Sequence, residues 1–172
     1  MVKIIKSSLV AFALVGLSAC VSTNDIKVNS EQSQKVDLSG YKTYQYVDGS
    51  GVAENTTTKT VMQDLKVSAS IESIINKDMA KKGKTVVSKN PDFFVAYLGG
   101  VDREAVKAKL DKDGKETIEK SPEAALVLML IDAEDGKVMW ISTAEAEAKN
   151  LPKEERKKRL EYAISKMLNS IK

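Results

Sequence analysis

The residue types that carry most site chemistry are scarce in this chain. Its 172 residues include no histidine and a single cysteine, Cys20. Without histidine there is no Ser-His or Cys-His pair and no His-ligated zinc centre. A few spacings remain to be weighed. Ser39-Gly40-Tyr41-Lys42 fits S-x-x-K, a nucleophile-and-base spacing. That chemistry needs the serine at a helix start with S-D-N and K-T-G companions. Here the serine opens an extended stretch and both companions are missing. Asp111-Lys112-Asp113-Gly114 and Asp132-Ala133-Glu134-Asp135-Gly136 begin like calcium loops, but neither has Gly at the sixth position or Glu at the twelfth. Both read as turns in which Asp-Gly supplies positive φ. The 24 acidic side chains leave paired-carboxylate hydrolysis open, yet aromatic residues at 5% furnish few platforms for a sugar. The basic run Arg156-Lys157-Lys158-Arg159 reads as the solvated face of a helix, with a headgroup-phosphate contact as the alternative. No catalytic, cofactor or metal residue is assigned, and enzymatic activity is not expected.

Cys20 is the exception. Lys3 and Lys6 precede Leu9–Leu17, nine uncharged residues. That length suits a secretory signal and falls short of the roughly 20 residues of a membrane-spanning helix. Leu17, Ser18 and Ala19 then lead into Cys20. The run resembles a bacterial lipoprotein signal: an aliphatic residue, two small ones, then cysteine. The resemblance implies signal-peptidase recognition at Leu17, Ser18 and Ala19, a diacylglycerol on the Cys20 thiol, cleavage before Cys20, and acylation of the new amino group. A covalent lipid also explains an unpaired cysteine in an exported chain. One acyl chain binds a membrane only marginally; three make release negligible. Val21 rather than Asp follows, which by analogy with Gram-negative sorting implies the outer membrane, with the domain facing the periplasm. Cleavage removes Lys3 and Lys6 and no acid, leaving 25 basic against 24 acidic side chains. The whole-chain charge of +3 is therefore no sign of a nucleic-acid partner.

Three segments follow: a signal over 1–19, lipidated Cys20 with a flexible tether over 20–35, and one α+β domain over 36–172. Val21–Lys35 is polar with isolated apolar residues; a coil of that length spans roughly 20 Å. Tyr41–Val47 is aromatic and β-branched and reads as a first strand, its core face undecided. Asp48–Lys59 reads as a loop. Apolar steps of three and four through Val61, Leu65, Ile71, Ile75 and Met79 predict a helix over Thr60–Lys82, stopped by Gly83. Phe93–Leu98 carries no charge and predicts a central strand. Residues 102–122 allow either a short helix or a hairpin at Asp113-Gly114. Ala124–Ile131 and Lys137–Thr143 predict an antiparallel hairpin turning at Asp135-Gly136. Pro152 suits a first helical position. Leu160, Ala163, Ile164, Met167, Leu168 and Ile171 then form one apolar stripe of a closing helix.

Ser39–Tyr44, the helix end Met79–Gly83, Pro91–Tyr97, Gly136–Trp140 and the closing helix together resemble, in this order, the small bacterial lipoproteins of the domain-of-unknown-function family DUF4136. The resemblance implies an antiparallel sheet with two helices on one face, and it carries no catalytic residue. In that family Tyr46 stands where Trp is common and Lys84 where an aromatic is common. The expected function is a non-enzymatic, membrane-anchored envelope module that binds a protein or envelope component of unknown identity. The alternative is a carrier of a small apolar ligand between sheet and helices, lined by residues such as Phe94, Trp140 and Leu168.

Overall fold

The computed structural model describes residues 21–52, 67–100, 106–110, 114–120, 124–147 and 151–171. Its strands are β1 (Lys27–Gln32), β2 (Thr43–Tyr46), β3 (Gly51–Val52), β4 (Thr85–Val86), β5 (Phe93–Gly99), β6 (Val106–Leu110), β7 (Glu116–Lys120), β8 (Ala124–Asp132) and β9 (Val138–Glu145). Its helices are α1 (Val67–Lys81) and α2 (Lys153–Leu168). A seven-stranded sheet runs β1-β9-β8-β5-β2-β4, with β3 also beside β5. The α+β class expected from the sequence holds, and both helices lie on one face. The expected all-antiparallel pairing does not. The pairs β1–β9, β9–β8 and β8–β5 are antiparallel, whereas β2 pairs parallel to both β4 and β5, and β3 parallel to β5. The reason is topological: between β2 and β5 the chain crosses one face through α1, and such a crossover returns it in its original direction.

A second correction concerns the tether. Lys27–Gln32 is β1, paired antiparallel with β9 from Lys27 opposite Glu145 to Gln32 opposite Trp140. Its residues alternate: Val28, Ser30 and Gln32 turn inward and are half-buried, while Lys27, Asn29 and Glu31 are exposed. The inward serine is satisfied by Ser142, 2.7 Å away. Ile26 just before the strand is in the core. A polar edge strand needs few apolar residues, because only half of one face is covered, and so it looks like a linker.

The helices behave as their patterns require. Ile71, Ile74, Ile75 and Met79 bury one side of α1. Gly83, at φ +70°, lets the Lys84 amide return to the Met79 carbonyl and ends the helix. The first part of the predicted helix, with Val61 and Leu65, lies outside the described residues. Ala163, Ile164, Met167, Leu168 and Ile171 are buried as expected, and Leu160 packs partly against them. Pro152 stands one residue before α2 instead of within it, with its carbonyl accepting from the Glu155 and Arg156 amides. α1 and α2 run parallel: Lys77 meets Glu161, Ser165 meets Asp78, and Lys82 reaches the Ile171 carbonyl. Among the described residues, no helix is long and apolar enough to cross a membrane.

Of the two readings of 102–122, the hairpin is realised. β6 and β7 pair antiparallel, with Gly114 at φ +83° in the link; Asp111 and Asp113 lie outside the described residues. This hairpin lies alongside β9, β8 and β1. Val127, Ile141 and Thr143 are buried on the sheet face away from the helices, so the sheet is covered on both sides there.

Candidate functional site

Leu17, Ser18, Ala19 and Cys20 lie outside the described residues. What the structure describes begins one residue later, and there the chain is held. Arg159 continues the buried stripe of α2 one turn toward its start, four residues before Ala163. Its guanidinium donates to both carboxylate oxygens of Asp25, at 2.9 and 2.6 Å, and to the Ser22 carbonyl. Asp25 also accepts from the Glu147 amide at 3.3 Å. A turn closed by the Ile26 amide on the Thr23 carbonyl shapes the segment. The two charged side chains are only 9% and 14% exposed. Hydrogen bonding to Asp25 raises the Arg159 pKa further above its ordinary range. The basic run therefore divides. Lys157 and Lys158 are solvated as expected, whereas Arg159 is a buried clamp and Arg156 caps the Leu151 carbonyl at 2.6 Å.

Three tyrosines converge between α1 and the sheet. The Tyr44 and Tyr46 hydroxyls each donate to Asn76 Oδ1 at 2.7 Å, and Tyr97 donates to Glu72 Oε1 at 2.8 Å. Tyr46 packs edge-on against both other rings. Burial pushes Tyr44 and Tyr97 up to about 12, and Tyr46 higher still. At neutral pH these groups are fixed neutral donors that seat α1 on the sheet. The same alternation settles the undecided face of β2: Tyr44 and Tyr46 look toward the helices.

The far end of the sheet spends its carboxylates on backbone. Asp132 accepts the Tyr41 hydroxyl at 2.5 Å and the Glu134 and Asp135 amides at 2.7 and 3.2 Å. Asp92 accepts the Lys42 and Thr43 amides. The Asp132 bonds to the Glu134 and Asp135 amides are turn chemistry, as the Asp-Gly spacing indicated, whereas Asp92 ties the start of β2 to the segment before β5. Lys42 donates to the Ser39 backbone carbonyl, so the S-x-x-K pair is a local cap. Lys84 was not singled out as a site. It is 5% exposed and donates to the Leu38 and Tyr41 carbonyls at 2.7 Å each, 5.7 Å from the Phe93 ring centre. Burial lowers its pKa. Its sequence signal is the place after Gly83 where the family resemblance leads one to expect an aromatic. Among the described residues, no group of three or more Asp, Glu, Cys or His is placed to hold a metal.

Of the residues named for an apolar cavity, Trp140 and Leu168 are fully buried in the main core. The Trp140 indole donates to Ser170 at 3.2 Å. Phe94 lies on the other face, half-buried, and Phe93 takes the core position, stacked on Tyr44 with ring centres 5.4 Å apart. The three are not brought together.

Comparison with solved structures finds similar chains. A DUF4136 family protein from Bacteroides thetaiotaomicron VPI-5482 superposes with a TM-score of 0.55 at 10% identity, over 84% of this chain and 95% of that one. The PelC dodecamer from Paraburkholderia phytofirmans gives 0.49 at 15% identity, over 83% and 94%. A PDZ domain protein from Parabacteroides distasonis ATCC 8503 gives 0.45 at 18% identity, over 86% of this chain and 36% of that one. Among curated protein sequences there is no match. The sequence fits the family described as domain of unknown function DUF4136 over residues 28–170. The chain belongs to the DUF4136 family.

Proposed function

We propose that this chain is a lipid-anchored, non-enzymatic module of a bacterial envelope, cut before Cys20, acylated there, and held at the outer membrane facing the periplasm. Its role is to present a folded surface to an envelope protein or component. The observation that carries this reading is Leu17-Ser18-Ala19-Cys20, closing a nine-residue apolar run and containing the chain's one cysteine. The functional group is then the covalent lipid, with no further cofactor. Surface binding is favoured over carriage of an apolar ligand because Trp140 and Leu168 are occupied with each other's neighbours in the core, and Phe94 faces away from them.

Intact-mass measurement of the native protein tests the anchor. The expected species starts at Cys20 with acyl chains added, and Cys20→Ser abolishes both cleavage and membrane fractionation. Retention of residues 1–19, or a bare thiol at Cys20, overturns the reading. Crosslinking of the lipidated protein in envelopes, read by mass spectrometry, identifies the partner.

A further inference from the structure

Resting on that lipid anchor, we infer that the domain does not hang from a leash but is seated on the bilayer, by the end of the molecule that carries the Arg159–Asp25 clamp. Arg159 holds the Ser22 carbonyl and, through both carboxylate oxygens, Asp25. Asp25 is tied in turn to the Glu147 amide, two residues past the end of β9. Three parts of the molecule, the N-terminal turn, the end of the sheet and α2, are thus stitched at one point. Ser22 lies two residues from Cys20, so covalent reach keeps the Cys20 Cα within about 7 Å of Ser22. A free 15-residue coil would have allowed roughly 20 Å. Acyl chains on Cys20 therefore enter the bilayer within about one side-chain length of the clamp.

The register says which end this is. Lys27 and Ala124 both stand opposite Glu145, and Gly99 stands opposite Leu126, so these residues share the clamped end. At the opposite end lie Asp132, opposite Phe93, and the Glu134–Gly136 turn. The eight residues of β9 separate the two ends, about 26 Å at 3.3 Å per residue. The exposed charged residues described beside the clamp include Lys27, Lys153, Lys157 and Lys158 against Glu147 and Glu154. That lysine excess suits a phosphate-bearing headgroup layer. The turn at Glu134–Gly136 then points away from the membrane, and a partner that uses it must sit about 25 Å out.

The experiment uses the acylated, purified protein in phosphatidylcholine vesicles that carry a nitroxide-headgroup lipid. With the Cys20 sulfur blocked by lipid, one introduced cysteine is the only thiol. Lys153→Cys marks the clamped end and Glu134→Cys the far end, each labelled with a small fluorophore. Quenching at position 153 is expected to be at least threefold that at 134. In an Arg159→Gln background the ratio is expected to fall toward one, with near-ultraviolet dichroism of Trp140 confirming the fold. Asp25→Asn keeps the guanidinium contact to the Ser22 carbonyl and serves if the first variant does not fold, with an intermediate ratio expected. Equal quenching at both positions of the acylated, otherwise unaltered protein overturns the seating and leaves the anchor standing. A mass without acyl chains overturns the anchor reading itself.

Discussion

Arg159 and Asp25 exchange two charge-assisted hydrogen bonds while both are nearly out of water. Such a pair adds little relative to a well-packed apolar one, but removing either partner alone strands a desolvated charge. Arg159→Ala is expected to cost about 3 kcal/mol in urea unfolding. Arg159→Lys should recover only part of that, because an ammonium cannot meet both carboxylate oxygens in a planar fork. Asp132 acts through pH. The Tyr41 hydroxyl first, then the Glu134 and Asp135 amides, hold its carboxyl below the usual carboxylate range. A depressed folded pKa gives stability that is complete above the unfolded value, near 4, and is lost as pH falls through the folded one. Tyr41→Phe should therefore lower stability by about 1 kcal/mol at pH 7. It should also flatten the loss below pH 4, as read by chemical unfolding across pH 2–7.

The seam between α1 and β2–β5 titrates at the other extreme. Tyr44 and Tyr97 are raised to about 12 by burial, with Tyr46 above them, and Glu72 lies against Tyr46 and Tyr97. A raised folded pKa means that stability is intact below the unfolded value, near 10, and is lost as pH rises toward the folded one. Each tyrosine contributes up to about 1.4 kcal/mol of loss per pH unit in that window. Unfolding is thus expected to become markedly easier between pH 10 and 12, and Tyr46→Phe should reduce the slope; phenolate absorbance against far-ultraviolet dichroism checks it. At this scale the sequence was legible where burial is one-sided and strong. β5, β8 and β9 are apolar runs between turn residues, and the stripe from Ala163 to Ile171 can face only a core. β1 escaped notice because Val28, Ser30 and Gln32 face inward only halfway, at an edge. The parallel pairing of β2 escaped because strand periodicity does not encode neighbour direction; the helix between β2 and β5 was the available clue. Arg159 was hidden inside a run of four like charges, where one-dimensional reading could not tell the clamped residue from its solvated neighbours. Cys20, by contrast, was conspicuous by type and place alone.

For the molecule as a whole, the question is where the domain starts. The family match begins at residue 28, inside β1, and the core already includes Ile26. If Val21–Lys35 were a spacer, a chain starting at Val36 would be as stable as one starting at Val21. The structure requires the opposite. Starting at Val36 removes Ile26, worth roughly 2 kcal/mol of burial. It also strips Arg159 of Asp25, at about 3 kcal/mol, and leaves the β9 edge without a partner. The combined loss, about 5 kcal/mol, is comparable with the whole stability of a modest domain. The shortened chain is therefore expected to be largely unfolded, or associated through the bared edge of β9, while the chain from Val21 unfolds cooperatively. Thermal dichroism with sedimentation of both unlipidated forms decides this: equal midpoints would mean that the segment is a spacer after all. The expected gap means that acylation at Cys20 would attach lipid a few residues ahead of a structural strand, through the segment that Arg159 clamps, so that whatever pulls on the anchor pulls on the sheet.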